Sequence, residues 1–246
     1  MNHYEAVQHF FDRTAKRYQA HPGAFRQYYF KARLSLAKSL LPDPPYQLLD
    51  VGCGPGEVYD ELNNISQVDG YFGIDISEAM LHSSSIPTTQ RAQTRIESLG
   101  VQDHQQSLYD IVLALGLTTY YQQKDLPSFY KAIQQVLAPN GSAIISYTHA
   151  HSLDFRGRAI IHLWFGKWLS NRRSLGRSFP IYASSPEEEQ NYLPQGLRVQ
   201  SIHWLPPYFP FFTHVFPRFS VYLSKKCHFL GPRWRGDFVL VINKES

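Results

Sequence analysis

Residues 46–57, Tyr46-Gln-Leu-Leu-Asp-Val-Gly-Cys-Gly-Pro-Gly-Glu57, constrain this chain more than any other stretch. The first half is a short apolar run ending at Asp50 and Val51, which reads as a buried strand. The second half puts Gly52, Gly54 and Gly56 on alternate positions before a helical pattern begins. Each missing Cβ lets the backbone take positive φ or approach a ligand closely, so a ligand is expected at this turn. A dinucleotide fingerprint needs G-x-G-x-x-G, with its third glycine packing helix on strand beside a pyrophosphate. Here the sixth position from Gly52 is Glu57. A carboxylate at a helix N-terminus suits the helix dipole but would repel a phosphate at the same point. The turn therefore favours a cofactor without phosphate.

The next apolar run, Tyr71-Phe-Gly-Ile-Asp-Ile76, is a strand bounded by Asp69-Gly70 and followed by Ser77 as a helix cap. Asp75 lies nineteen residues after Gly56, where a βαβ unit brings a carboxylate to a ribose to accept from both hydroxyls. That acid alone suits NAD equally well. A third strand is read at Thr94-Arg-Ile96, with a turn at Gly100. Tyr109–Leu115 is the continuous apolar run of a central parallel strand. Past its end, Gly116–Tyr121 falls outside the carboxyl edge of the sheet, where open α/β sheets take ligands, so Tyr120 and Tyr121 become substrate-side candidates with at least one packing under the loop. Asp125 is read as the cap of a helix with Leu126, Phe129, Ile133, Val136 and Leu137 on one face, stopping at Pro139-Asn-Gly141. Strands at 142–147, 196–204 and 237–243 complete seven, and Pro186-Glu-Glu-Glu189 starts a helix between them.

Together these segments resemble the class I S-adenosylmethionine-dependent methyltransferases, of the small-molecule type and similar to the ubiquinone/menaquinone methyltransferase group. Leu-Leu-Asp50 followed by Gly52-x-Gly54-x-Gly56 resembles motif I. Phe11-Asp-Arg-Thr-Ala-Lys-Arg-Tyr18 resembles the F-D-x-x-A-x-x-Y stretch that lies over the cofactor, although Phe11 and Tyr18 also suit an ordinary packing helix. Tyr109-Asp-Ile-Val112 resembles F-D-x-V, and Val136–Ile145 the turn before the fifth strand, with Asn140 in place of a glycine. Asn tolerates positive φ, so that departure is mild.

The resemblance implies a doubly wound α/β domain, seven-stranded and mostly parallel in the Rossmann-like manner with an antiparallel last strand. It also implies S-adenosylmethionine as cofactor, held by Asp50, Gly52, Gly54, Gly56, Asp75, Ile76, Glu97, Ser98, Leu115 and Tyr18. Asp75 is matched to the ribose, Ile76 to the underside of adenine and Glu97 to its exocyclic amine, though Glu97 also reads as a solvated turn residue. The implied reaction is in-line methyl transfer to a small-molecule acceptor, with His149 and Tyr121 as candidate proton acceptors and with Tyr120, Tyr121 and His149 on the substrate side. The alternatives are an NAD(P)-binding oxidoreductase and an S-adenosylmethionine-binding protein without catalysis.

The 246 residues fit one domain of this kind. Residues 1–42 read as a helical cover, with helices over Val7–Tyr18 and 24–41 separated by His21-Pro-Gly. Residues 43–149 read as the cofactor core, and 150–185 and 206–236 as substrate-side elaborations. Two cysteines, Cys53 and Cys227, make neither a disulfide framework nor a metal cluster, so a reducing, cytoplasmic setting with no metal is expected. Met1-Asn-His-Tyr-Glu carries no charged-then-apolar leader, and no run of eighteen apolar residues occurs, so export and membrane spanning are not expected.

The net charge is +4, but its cations are spread among aromatics, which weighs against nucleic acid as a partner. Between 150 and 180, Arg156, Arg158, Lys167, Arg172, Arg173 and Arg177 interleave with Phe155, Trp164, Phe165 and Trp168 against one acid, Asp154. Residues 206–236 carry nine aromatics, five Lys/Arg and no acid. Phe209, Phe211, Phe212, Phe216 and Phe219 in a segment broken by Pro206, Pro207, Pro210 and Pro217 point to a lid, a hydrophobic acceptor wall, or a contact with a membrane surface through Arg218, Lys225, Lys226, Arg233 and Arg235. Histidines 149, 151, 203 and 214 are each more often structural than catalytic.

Overall fold

The computed structural model describes residues 2–20, 24–63, 70–99, 108–153, 155–156, 179–207, 216–227 and 231–245. The 21–23 break, Gly100, Asp154, residues 157–178 with their cations and tryptophans, and Phe209, Phe211, Phe212 and His214 lie outside the described residues, as does the side chain of Tyr18.

Seven strands form one sheet: β1 (Gln47–Val51), β2 (Gly70–Asp75), β3 (Arg91–Gln93), β4 (Tyr109–Ala114), β5 (Leu137–Tyr147), β6 (Leu197–Trp204) and β7 (Phe238–Lys244), in the order β3-β2-β1-β4-β5-β7-β6. β1, β2, β3, β4 and β5 pair in parallel, and β7 runs antiparallel to both β5 and β6. The continuous apolar runs have a simple cause. Successive side chains point to opposite faces of a strand, and here both faces are covered, so both sets must be apolar. Leu49, Val51, Val112, Ala114, Ile145 and Phe238 face the layer of α5 (Ile96–Leu99) and α6 (Leu126–Val136). Leu48, Ile111, Leu113, Ile144 and Val239 face α2 (Ala24–Ser39), α3 (Glu57–Asn63) and α4 (Glu78–His82).

A third cluster, Ala6, Val7, Phe10 and Phe179, seats α1 (His3–Ala20) across the carboxyl edge of the sheet. The Asp of the F-D-x-V stretch, Asp110, accepts from the Gln47 backbone N–H at 2.8 Å, tying the start of β1 to β4. β1 is flanked by β2 on one side and β4 on the other, so the strand order reverses there and a crevice opens at its carboxyl end.

Two expectations are corrected. The third strand is Arg91–Gln93, not 94–96: Thr94 N–H bonds Asp75 O at 3.1 Å, and Ile96 and Leu99, buried at a helical i, i+3 spacing, already belong to α5. α6 stops at Val136 rather than at 139–141, because buried Leu137 pairs with Tyr109. The strand then bulges through Asn140, at φ 63°, before rejoining the ladder at Ser142. Within 206–236 the chain builds a helix, with α7 (Pro186–Gln190) preceding it in sequence and α8 (Pro217–Lys226) packing on α2. No helix among the described residues is long and apolar enough to cross a membrane.

Candidate functional site

The crevice beyond β1 is a cavity of about 270 Å³. Its floor is the glycine turn, which the β2 end holds in place: Gly52 and Cys53 N–H both donate to Ile74 O, at 2.7 and 3.0 Å. Gly54 takes φ 52° and a Cβ there would meet nothing within 4 Å, so its bare side faces open space rather than a crowded interior. The Gly54 N–H donates to Asp75 Oδ2 at 2.9 Å, and Ser77 N–H to Asp75 Oδ1 at 2.8 Å. Turn and strand-end acid are thus one unit. Burial, opposed by those two donors, lifts the Asp75 carboxyl above its ordinary range.

Asp50 is buried beneath the turn and accepts from Tyr71 Oη at 2.6 Å. Burial, with the Asp75 charge adding to it, raises the Asp50 carboxyl to about 7. Asp50, Gly52, Gly54, Asp75, Ile76, Leu115, Tyr120 and Tyr121 line the crevice, as does Phe11 of α1. Gly56, at φ 92°, lies behind it, where a side chain would press on Ser85 Oγ.

Several expected residues stand elsewhere. Glu97 and Ser98 do not line the crevice. The Glu97 carboxylate is engaged by Arg95, Nη2 to Oε1 at 2.8 Å and Nε to Oε2 at 3.2 Å, and it is Thr94, Arg95 and Ile96 that reach the wall. His149 is also outside. It is buried just past the carboxyl end of β5, its ring 4.9 Å from that of Trp204 and 5.9 Å from that of Phe238, and burial lowers its pKa. It is a packed residue.

Tyr121 is in place but unsuited to proton abstraction, since burial holds its phenol well above the ordinary value and therefore neutral. The Asp125 carboxylate does not cap α6, although the residue stands at the cap position; it accepts from Tyr4 Oη at 2.6 Å. The described residues contain no group of three His, Cys, Asp or Glu placed to hold a metal.

The structure adds residues that the sequence did not mark. From α2, Phe30 and Arg33 enter the crevice. Arg33 Nη2 is held by Asp237 at 2.8 Å, while its buried Nε has no hydrogen-bond partner. A side chain at Gly116 would collide with Arg33 Nη1, so that glycine leaves room for the guanidinium. From α1 comes Tyr4, whose ring carries the Arg95 guanidinium at 3.7 Å from its centroid.

An open α/β sheet with a glycine turn and a ribose-distance acid at its switch point defines a nucleoside-binding fold, here the seven-stranded arrangement of the class I S-adenosylmethionine-dependent methyltransferases. The chain belongs to the methyltransferase domain family, which matches residues 23–195. A search of curated proteins finds no match.

Solved structures share the fold along nearly the whole chain. A methyltransferase of Thermotoga maritima, described as a possible histamine N-methyltransferase, is 16% identical with a TM-score of 0.63, covering 98% of this chain and 100% of its own. Magnesium protoporphyrin IX methyltransferase of Synechocystis PCC 6803, solved with bound SAH, is 13% identical with a TM-score of 0.62, covering 99% and 100%. A cyclopropane synthase of Mycobacterium tuberculosis is 16% identical with a TM-score of 0.65, covering 99% of both chains. None of these matches singles out the ubiquinone/menaquinone group.

Proposed function

We propose that the crevice binds S-adenosylmethionine and that the chain transfers its methyl group to a small hydrophobic or aromatic acceptor. The observation that carries this reading is the coupling of Gly54 to Asp75 at the floor of one cavity. The residues present fit the cofactor. Asp75 spends one hydrogen bond per carboxylate oxygen on the backbone, leaving lone pairs for two ribose hydroxyls. The open side of Gly54 leaves space for the chain between ribose and amino acid. The unpaired Nε of Arg33 suits a carboxylate, and the Asp50 carboxylate suits a cation. Ile76 and Ile96 offer apolar surface to a base.

When bound, the cofactor supplies a methyl group already activated on a sulfonium. The chain's share is then orientation and exclusion of water, an effect that can reach several kcal/mol. Phe11, Phe30 and Tyr120 give the same cavity an aromatic wall, which supports a hydrophobic or aromatic acceptor. Neither His149, outside the crevice, nor Tyr121, held neutral, is placed as a base, which favours acceptors that need none. Glu57 lines the crevice where a dinucleotide would put its pyrophosphate, which weighs against NAD.

Calorimetry with S-adenosylmethionine, S-adenosylhomocysteine and NAD tests the reading. Asp75→Ala removes hydrogen bonds worth ~1–3 kcal/mol each, and Gly54→Leu fills the open space, so each variant is expected to weaken both adenosyl ligands at least tenfold. Unchanged affinity in both variants, or NAD bound as tightly as the adenosyl ligands, would sink it.

A further inference from the structure

α8 is turned inside out for a helix on the outside of a soluble domain. Ser220 and Ser224, one above the other on the same face, are 0% and 1% exposed, and the Ser224 hydroxyl donates to the Ser220 carbonyl at 2.9 Å. This serine face lies on α2, where Lys225 also reaches the Tyr28 ring at 5.9 Å from its centroid. The large side chains point the other way. Phe219 is 46% and Tyr222 55% exposed, and their rings stack at 6.4 Å.

At 100° per residue, Arg218, Phe219, Tyr222, Lys225 and Lys226 share an arc of about 120°, and all five are exposed. Phe216, just before the helix, is also exposed at 59%, as is Trp234, eight residues beyond its end, at 43%. Residues 216–236 contain five Lys/Arg and no acid.

We infer that this face docks the protein on an anionic lipid bilayer, with α8 lying in the plane of the surface. Aromatic rings settle at headgroup depth, where one part of the ring meets acyl chains and the other meets water, and Lys and Arg side chains extend to lipid phosphates. The alternating aromatic and cationic positions of α8 supply both on one side of one helix. A second copy of the chain is a poor occupant, because a two-fold contact would set the same cations against themselves. No helix among the described residues is able to span, so the docking is proposed as peripheral. α8 rests on α2, which carries Phe30 and Arg33 into the crevice, so the docked helix adjoins an element of the crevice wall, an arrangement that suits a membrane-dissolved acceptor. That last consequence rests on the methyl-transfer reading, whereas binding to vesicles does not.

Co-sedimentation of the full chain with vesicles of phosphatidylglycerol and phosphatidylcholine, against phosphatidylcholine alone, tests the inference. Binding is expected on the anionic vesicles only and should fall steeply between low and physiological salt. Each basic residue at such a surface is worth about fivefold, so R218E/K226E should lower partitioning by well over tenfold. F219S/Y222S should lower it with little change in salt sensitivity. All four positions are exposed, so circular dichroism and Tm are expected to stay at wild-type values; if a variant misfolds, the salt and lipid dependence of the wild type decides alone. Equal binding to neutral and anionic vesicles, or no binding to either, overturns the inference. So does a wild-type dimer in sedimentation that F219S/Y222S abolishes while vesicle binding persists.

Discussion

Asp50 is a buried carboxyl that titrates near neutrality, and its sign can be worked out. Its folded pKa of about 7 lies above the ordinary value, so its contribution to the stability of the ligand-free protein is complete below about pH 4 and is lost as pH rises through 7. Asp50→Asn should flatten that decline, which amounts to a few kcal/mol at most, in urea melts taken from pH 4 to 8. A cation in the crevice reverses the preference by favouring the carboxylate. S-adenosylmethionine affinity is therefore expected to rise about tenfold between pH 6 and 8 relative to its uncharged-sulfur product. A parallel pH profile for both ligands would remove Asp50 from the surroundings of the sulfonium and leave the ammonium that both ligands carry as its only cationic partner.

At this scale the sequence was legible where chemistry is local. Gly52, Gly54 and Asp75 lie in turns whose backbone needs are written in adjacent residues. Arg33 and Thr94 were not, because what brings them to the crevice is helix packing and a strand end three residues from where the hydropathy put it. His149 misled for the same reason: a strand-end position does not say whether the side chain meets the crevice or packs against its neighbours.

The element that closes the crevice is α1, and its attachment is specific. Tyr4 Oη donates to Asp125 at 2.6 Å, His3 Nε2 lies 2.7 Å from Tyr120 O, and Asp12 accepts from Ser77 Oγ at 2.6 Å and from Ala79 N–H at 3.3 Å. These latches reach three different parts of the carboxyl edge. Each is worth about 1 kcal/mol, so Tyr4→Phe combined with Asp12→Ala should free α1 without unfolding the sheet. The check is hydrogen exchange: faster by about tenfold or more in α1, unchanged in β1 and β4. Uniform acceleration would mean α1 is part of the global folding unit instead.

Among elements, α2 and every strand except β3 and β5 were read within a residue or two, whereas α1 begins four residues before Val7 and α6 ends three before Pro139. The other misses were short or irregular. β3 has three residues and too little pattern to place, the bulge at Asn140 hides the start of β5, and the inverted polarity of α8 conceals a helix from any reading of its apolar face.

For the whole molecule, the decisive feature is that β7 inserts between β5 and β6. Phe238 at its start is fully buried, stacked on Tyr147 at 5.0 Å and 5.6 Å from the Trp204 ring, so one side chain joins β5, β6 and β7. Phe238→Ala should cost ~3–5 kcal/mol and lower Tm by on the order of 10 °C, in thermal melts; a loss under about 1 kcal/mol would show that the inserted strand is not integral to the core. The seven-stranded plan was legible because both sheet faces are covered and every inner strand must then be an unbroken apolar run. The arrangement of the basic aromatic segments was not, since composition records what a surface is made of and not which way it faces.

The two thiols of the chain differ in a way that makes the glycine turn observable from outside. Cys53 is buried within the turn, and burial together with the Asp50 and Asp75 charges pushes its thiol far up. Cys227 ends α8 and is partly exposed. Only a thiolate within reach reacts with a maleimide. Cys227 should therefore be alkylated in the folded protein while Cys53 waits for the turn to open. The slow phase of labelling, followed by mass, is then a clock for that opening, and any molecule that settles against Gly54 should slow it in proportion to its occupancy.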